Sequence, residues 1–301
     1  IAEIMVGAAI LAYGAYETIA YFKWLEAEKG GIEYKDPKTG KMEKVKVDYH
    51  WVDCAYSPPK GITAYKKFVE EGAIVVFSCS SGFNASLKPS YEKDKVPCVS
   101  FGVAPEGAFP PGWIFFVKGM YSDRFGGLLD YIKKTWDKPE PPKVGFLTWD
   151  NPYGKGARTP ETEAYAKKLG IELLPTEYFE LMPVDTTPQL IRLRDRGADF
   201  IHSNTIPAPL SVVLKDAERL GLLDKIQFCG SEDGLVAGDL VTLAGDAAEG
   251  YVSTSGYASL AEENLPGVRE YKEVVRKYGN PKLVAMMEQG YTVWEGWSQA
   301  V

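Results

Sequence analysis

The strongest constraint on this chain is a set of short apolar runs that do not alternate with polar residues. They are "AIVVF" at 73–77, "VPCVS" at 96–100, "KVGFLT" at 143–148, "ADFIHS" at 198–203 and "KIQFCG" at 225–230. Between them lie segments with helical spacing, such as 62–71, where Ile62, Tyr65, Phe68 and Val69 fall on one face. Strands that read as continuous apolar runs are covered on both faces, and crossover helices supply that cover. The order predicts an α/β fold with doubly wound parallel sheets. A length of 301 residues is enough for two lobes, each with its own core.

Punctuation along the chain divides it further. The stretch "TWDKPEPPK" at 135–143 reads as a surface linker at the start of a second lobe, and "GDAAEGYVSTSGY" at 245–257 as a second discontinuity before a helical end. The polar insert 34–44 reads as an exposed hairpin or loop centred on Lys38, Thr39 and Gly40. Near the start, "VGAAILAYGAYETIAYFKWL" has no basic leader and carries Glu17, so it reads as an amphipathic helix and neither as a signal peptide nor as a membrane span.

Composition removes several function classes. The formal charge of -7 gives no clustered basic surface for nucleic acid or anionic membrane. Two histidines, His50 and His202, lack the spacing of a zinc pair, so no metal is expected. Neither GxGxxG nor GxxxxGK[ST] is present, and no cofactor is expected. "SCSSG" lacks the context of a nucleophile elbow and Cys79 has no evident base, while the 41 acidic residues leave an acid–base pair open without singling one out.

What "VVFSCSSGFNAS" at 75–86 does offer is a strand running into a helix through three small polar residues. The hydroxyls of Ser80 and Ser81 and the first-turn N–H groups of that helix would converge where the positive end of its dipole favours a carboxylate. The alternative is that one of these serines only caps its own helix. A second strand end brings Ser100, Phe101, Gly102, Val103 and Ala104 to the same edge of the sheet, where ligands of open α/β sheets sit.

Taken in order, "AYGAYETIAYFKWLEAEKGGI", "VDCAYSPPKGITAYKKFVEEGAIVVFSCSSG", "DKVPCVSFG", "WDNPYGKG", "DTTPQLIRLRDRGADFIHSN", "LKDAERLGL" and "LAGDAAEG" resemble the type I periplasmic binding fold. In particular they resemble the branched-chain amino acid (Leu/Ile/Val) binding proteins of ABC transporters. The resemblance implies a first lobe of 1–119 with 254–301 and a second of 120–253, closing on a small solute that is passed to a membrane permease. It implies a monomer without catalysis, in the periplasm or on the extracytoplasmic face, soluble or lipid-anchored, with its signal peptide removed. It also implies that the sequence begins inside the first helix or its leading loop, with the family's first strand and last crossover missing from a longer precursor.

Carried over by resemblance, the carboxylate site falls on Ser80 and the loop Ser100 to Ala104, and the ammonium partner on Glu232. Asn204, Thr205 and Ile206 stand where a glycine and tyrosine pattern is expected, and Phe101 suits a larger or more aromatic solute. Tyr121, Trp149, Tyr153 and Tyr257 lie near strand ends as pocket walls, or equally as core or surface aromatics. Amides, urea and aromatic carboxylates are alternative solutes, and a ligand-sensing regulatory domain is an alternative role. A disulfide between Cys54 and Cys79 is expected, because the family has a pair at this spacing and the two strands read as neighbours. Cys98 and Cys229 read as buried apolar residues.

Overall fold

A computed structural model describes residues 3–10, 20–102, 104–231, 239–255 and 262–279. The chain divides into two compact units, 1–118 with 258–301, and 119–257.

The first unit is organised by six strands: β1 (Glu3–Ile10), β2 (Ile32–Lys35), β3 (Met42–Asp53), β4 (Val75–Ser78), β5 (Cys98–Ser100) and β6 (Ile114–Phe116), in the order β2-β3-β1-β4-β5-β6. Only β2 is antiparallel; β3, β1, β4, β5 and β6 run parallel, joined where described by helices such as Pro58–Glu70 and Ser81–Asp94. Adjacent residues of one strand serve different cores. Val75 and Phe77 pack with Tyr21, Phe22, Val99 and Tyr271, whereas Val76 packs with Tyr65, Phe68, Phe83 and Cys98. Both faces of β4 are therefore covered, which is why its sequence does not alternate.

Residues 3–10 correct the expectation of an opening helix, and with it the expectation that the sequence begins inside the first helix with the first strand missing. "EIMVGAAI" forms β1, paired on one side with β3 and on the other with β4. A short apolar run carries too few residues for periodicity to separate a helix from a doubly covered strand. Helix is described from Ala20 and ends in a π-turn at Leu25–Lys29, with Gly30 left-handed at φ 75°. Gly31 follows at φ 111°, so close to β3 that a Cβ would lie 2.1 Å from the Val45 carbonyl oxygen. Only glycine satisfies both demands.

The insert forms the hairpin β2/β3, as the turn residues suggested. Its tip is held by the Asp36 carboxylate, which accepts from the Lys38 amide at 2.8 Å and the Thr39 hydroxyl at 2.8 Å. Those donors, the amide first, hold the Asp36 pKa below its ordinary value.

The expected Cys54–Cys79 disulfide is not formed. Cys54 follows β3 and Cys79 follows β4, but β1 lies between these strands. Two strand spacings are about 9–10 Å, beyond the roughly 4.4–6.8 Å between Cα atoms that a disulfide spans. Cys54 instead packs in the cluster around Tyr65 and Phe68, and burial raises its thiol pKa. Cys98 and Cys229 are fully buried, in β5 and in the second unit's strand Gln227–Ser231, as read from their apolar settings.

The second unit contains β7 (Lys143–Trp149), β8 (Glu172–Leu173), β9 (Glu177–Phe179), β10 (Phe200–Ser203), β11 (Gln227–Ser231) and β12 (Val252–Thr254). Their order is β12-β11-β10-β7-β8, with β9 also paired to β7, and every pairing is parallel. "TWDKPEPPK" is not a boundary between units; it joins the helix Tyr121–Thr135 to β7 inside this unit. Its Trp136 lies 5.9 Å from Phe200, and the indole N–H donates to the Glu140 carbonyl at 2.6 Å.

Each sheet contains a point where neighbouring strands are followed by chain leaving in opposite directions, between β1 and β4 in the first and between β7 and β10 in the second. Ligands of open α/β sheets bind at the carboxyl ends of such strands.

Candidate functional site

In the first unit, β4 ends at Ser78 and the helix Ser81–Asp94 begins three residues later. Ser80 is its N-cap and accepts from the Phe83 amide at 3.4 Å, so the capping role weighed against ligand binding is present. Ser80 and Ser81 are both buried beside the positive end of a 14-residue helix.

The loop after β5 lies directly against this turn. A Cβ at Gly102 would stand 2.8 Å from the Cys79 carbonyl oxygen and 2.8 Å from the Ser81 amide nitrogen. Glycine thus allows two strand-end loops to touch backbone to backbone. Ser100 is completely buried; its hydroxyl donates to the Ser78 carbonyl at 2.5 Å and accepts from the Gly102 amide at 3.0 Å. Both the Ser100 hydroxyl and the Gly102 amide are therefore engaged within the protein. Ala104 is buried and precedes the short helix Pro105–Ala108. Phe101 sits 5.5 Å from Phe77, with the Lys118 ammonium 5.0 Å from its ring centre. Val103 lies outside the described residues.

One residue at this edge escaped the sequence reading. Asn84, on the helix and completely buried, donates from one amide nitrogen to Ser100 Oγ at 2.8 Å and to the Gly102 carbonyl at 2.8 Å. Its amide oxygen accepts from the Cys98 thiol at 3.7 Å. The available signal was spacing: Asn84 lies three and seven residues before Leu87 and Tyr91, on the face that enters the core.

In the second unit, Tyr121, Trp149 and Tyr153 come together. The Tyr121 and Tyr153 rings are 4.8 Å apart and those of Trp149 and Tyr153 are 5.7 Å apart. Tyr153 is held by its hydroxyl, which donates to the Thr205 carbonyl at 3.0 Å, and by its own carbonyl, which accepts from Asn204 Nδ2. Asn204 also accepts on Oδ1 from Ser231 at 2.9 Å, while its backbone carbonyl accepts from Thr148 at 2.9 Å. Ile206 caps the helix Pro207–Arg219 and is half-buried. Asn204 is completely buried, so it serves here as a knot joining the ends of β7, β10 and β11. Glu232 and Tyr257 lie outside the described residues.

The two histidines have ordinary settings. His50 is on the surface, 3.0 Å from Glu71. His202 is enclosed between Phe125 and Phe146, with ring centres at 5.0 and 5.2 Å, and burial pulls its pKa down to about 3. Among the described residues no group of three His, Cys, Asp or Glu side chains is placed to hold a metal, and no helix is long and apolar enough to cross a membrane.

Both units gather small polar and aromatic residues at the carboxyl ends of their parallel strands, where open α/β sheets hold ligands. Residues 13–301 match the family model for periplasmic binding proteins, and the chain belongs to that family. A Leu/Ile/Val-binding protein homolog 2 from Brucella abortus is 26% identical over 260 residues, covering 85% of this chain and 67% of that protein. The structure of a branched-chain amino acid ABC transporter protein from Thermus thermophilus, with bound valine, superposes with a TM-score of 0.83 at 26% identity. It covers all of this chain and 77% of that one. A solute-binding protein from R. palustris in complex with 4-hydroxybenzoate shares the fold at a TM-score of 0.77 and 16% identity, over 99% of this chain and 79% of that one.

Proposed function

We propose that this chain is the extracytoplasmic solute receptor of an ABC transporter, taking up a small carboxylate- or amide-bearing solute and delivering it to a permease. A branched-chain or related amino acid is the solute that fits best. The observation that supports this reading is the backbone contact of Gly102 with the Cys79–Ser81 turn. It sets small hydroxyls and a helix N-terminus at one point on the strand-end edge, complementary to a carboxylate. Glu232 is the proposed partner of the solute ammonium. The valine-bound relative supports the same class.

A second reading, an aromatic carboxylate, is favoured by Phe101, which is half-buried beside the proposed head-group site with the Lys118 ammonium over its ring. The same head-group site would serve, with Phe101 against the solute ring.

Thermal shift against valine, leucine, valinamide, urea and 4-hydroxybenzoate tests both readings. A solute at 1,000 times its dissociation constant stabilises the folded chain by about 4 kcal/mol. Stabilisation by valine and leucine supports the first reading and stabilisation by 4-hydroxybenzoate alone supports the second. No shift with any of the five rejects both. Glu232→Gln should weaken valine far more than 4-hydroxybenzoate, because only valine carries the amine.

A further inference from the structure

From the hydrogen bonds at the first unit's strand ends, we infer that Asn84 is the positioning residue of the proposed head-group site, tying the Ser100–Gly102 loop to the Ser81–Asp94 helix. The inference rests on the functional reading above.

Three backbone segments must keep a fixed spacing for a carboxylate to be recognised: the end of β4, the first turn of the helix and the loop after β5. The Ser100 hydroxyl joins the first and third, through the Ser78 carbonyl and the Gly102 amide. Asn84 joins the second to the third, and it does so twice with one amide group. Donation to Ser100 Oγ also settles the direction of that hydroxyl. With Asn84 and Gly102 N–H both donating, Ser100 can only give its own proton away, and the Ser78 carbonyl receives it.

No hydrophobic contact could replace this tie. The Gly102 carbonyl is withheld from solvent within the packed loop, and a buried carbonyl without a donor costs more than a hydrogen bond contributes. Asn84 sits one residue from Phe83 and three from Leu87, which anchor the helix in the core with Tyr65 and Phe68. The amide is thus carried by a rigid element, as an orienting group requires. Gly102 lacks a Cβ, so its loop can come close to the Ser81 amide, and the Asn84 bonds add to the β4–β5 pairing in setting that distance.

Two variants separate positioning from packing. Asn84→Asp keeps the shape but removes both donors when ionised; Asn84→Ala removes shape and donors. Ser100→Ala cuts the same tie from its other end. Hydrogen exchange of the Gly102 amide is the first readout and needs no solute. Exchange about ten-fold faster in Asn84→Asp at pH 7, with β4 amides unchanged, is expected, and protection should return at acid pH as the new carboxyl regains a proton to donate. The second readout is the affinity for valine and 4-hydroxybenzoate, each measured well below the melting temperature of every variant. Both affinities should fall about ten-fold in Asn84→Asp, and Asn84→Ala with Ser100→Ala should weaken binding no more than the stronger single change. Unchanged Gly102 exchange overturns the inference, as does faster exchange with unaltered affinity. If the parent protein binds neither probe, the functional reading falls, while the exchange data still decide whether Asn84 holds the loop.

Discussion

Each unit fastens its strand ends with a buried asparagine, but the two are mounted differently. In the first unit Asn84 stands on a helix and reaches across to the loop after β5. In the second, Asn204 is part of the loop itself and is held by Thr148, Tyr153 and Ser231, three partners from two other strand ends. The second arrangement is cross-braced, so several bonds must break before Tyr153 shifts. The first hangs on one amide and one hydroxyl.

Four experiments would break or sharpen this contrast. Acid carries the largest effect and it falls on the second unit. His202 is neutral in the fold with a pKa near 3, against an ordinary value of about 6.5. Between those values the unfolded chain binds a proton that the folded chain does not, so stability falls as pH drops from about 6.5 to 3, by about 5 kcal/mol in all. Cys229 on β11 is paired opposite His202, the Phe125 and Phe146 rings pack against it, and burial is the cause of its lowered pKa. His202→Leu should remove that part of the pH dependence, measured by urea denaturation at pH 7 and pH 4. It should cost little at pH 7, because both ring nitrogens are buried without a hydrogen-bond partner.

Next comes Asn204→Ala, which strands the Ser231 hydroxyl and the Tyr153 carbonyl and should cost about 3 kcal/mol. If urea denaturation shows under 1 kcal/mol, the cross-brace is not what holds that edge. Gly102→Ala is third. A methyl group 2.8 Å from two backbone atoms must push the loops apart, which overpacking puts at about 1–3 kcal/mol of stability. The solute affinity should drop more steeply than the stability, in calorimetric titration beside a melting curve. The smallest effect belongs to Ser80→Ala, where loss of a cap costs about 1 kcal/mol. Unaltered affinity for every solute would leave Ser80 as a cap alone.

Much of the fold was legible because a doubly covered parallel strand has a plain signature, and β4, β5, β7, β10 and β11 carry it. The same signature misled at β1, where an eight-residue apolar run can be laid on either period. It misled again at Cys54 and Cys79, since strand order is a long-range property and local apolarity says nothing of which strand lies between two others. Sequence position placed Ser80, Gly102 and Asn204 just after strands and Trp149 at a strand's end, and there they lie. Asn84 was not so placed, because it sits inside a helix, and only its core-facing spacing distinguished it from a solvated asparagine. The roles of these residues toward a solute depend on distances across loops, which sequence order does not encode.

The first unit is assembled from both ends of the chain, and its core packs Tyr21, Phe22 and Phe77 against Tyr271, Val274 and Val275 of the helix Pro266–Tyr278. During synthesis the second unit, a continuous run, is complete before that helix exists. At roughly 5–20 residues per second the ribosome takes on the order of 10–30 s to travel from the end of the first segment to the helix that seals it. For that interval the earliest-made half of the molecule keeps an apolar face uncovered. The helix Pro266–Tyr278 thus acts as a clasp, closing the first unit's core only after the second unit has been made.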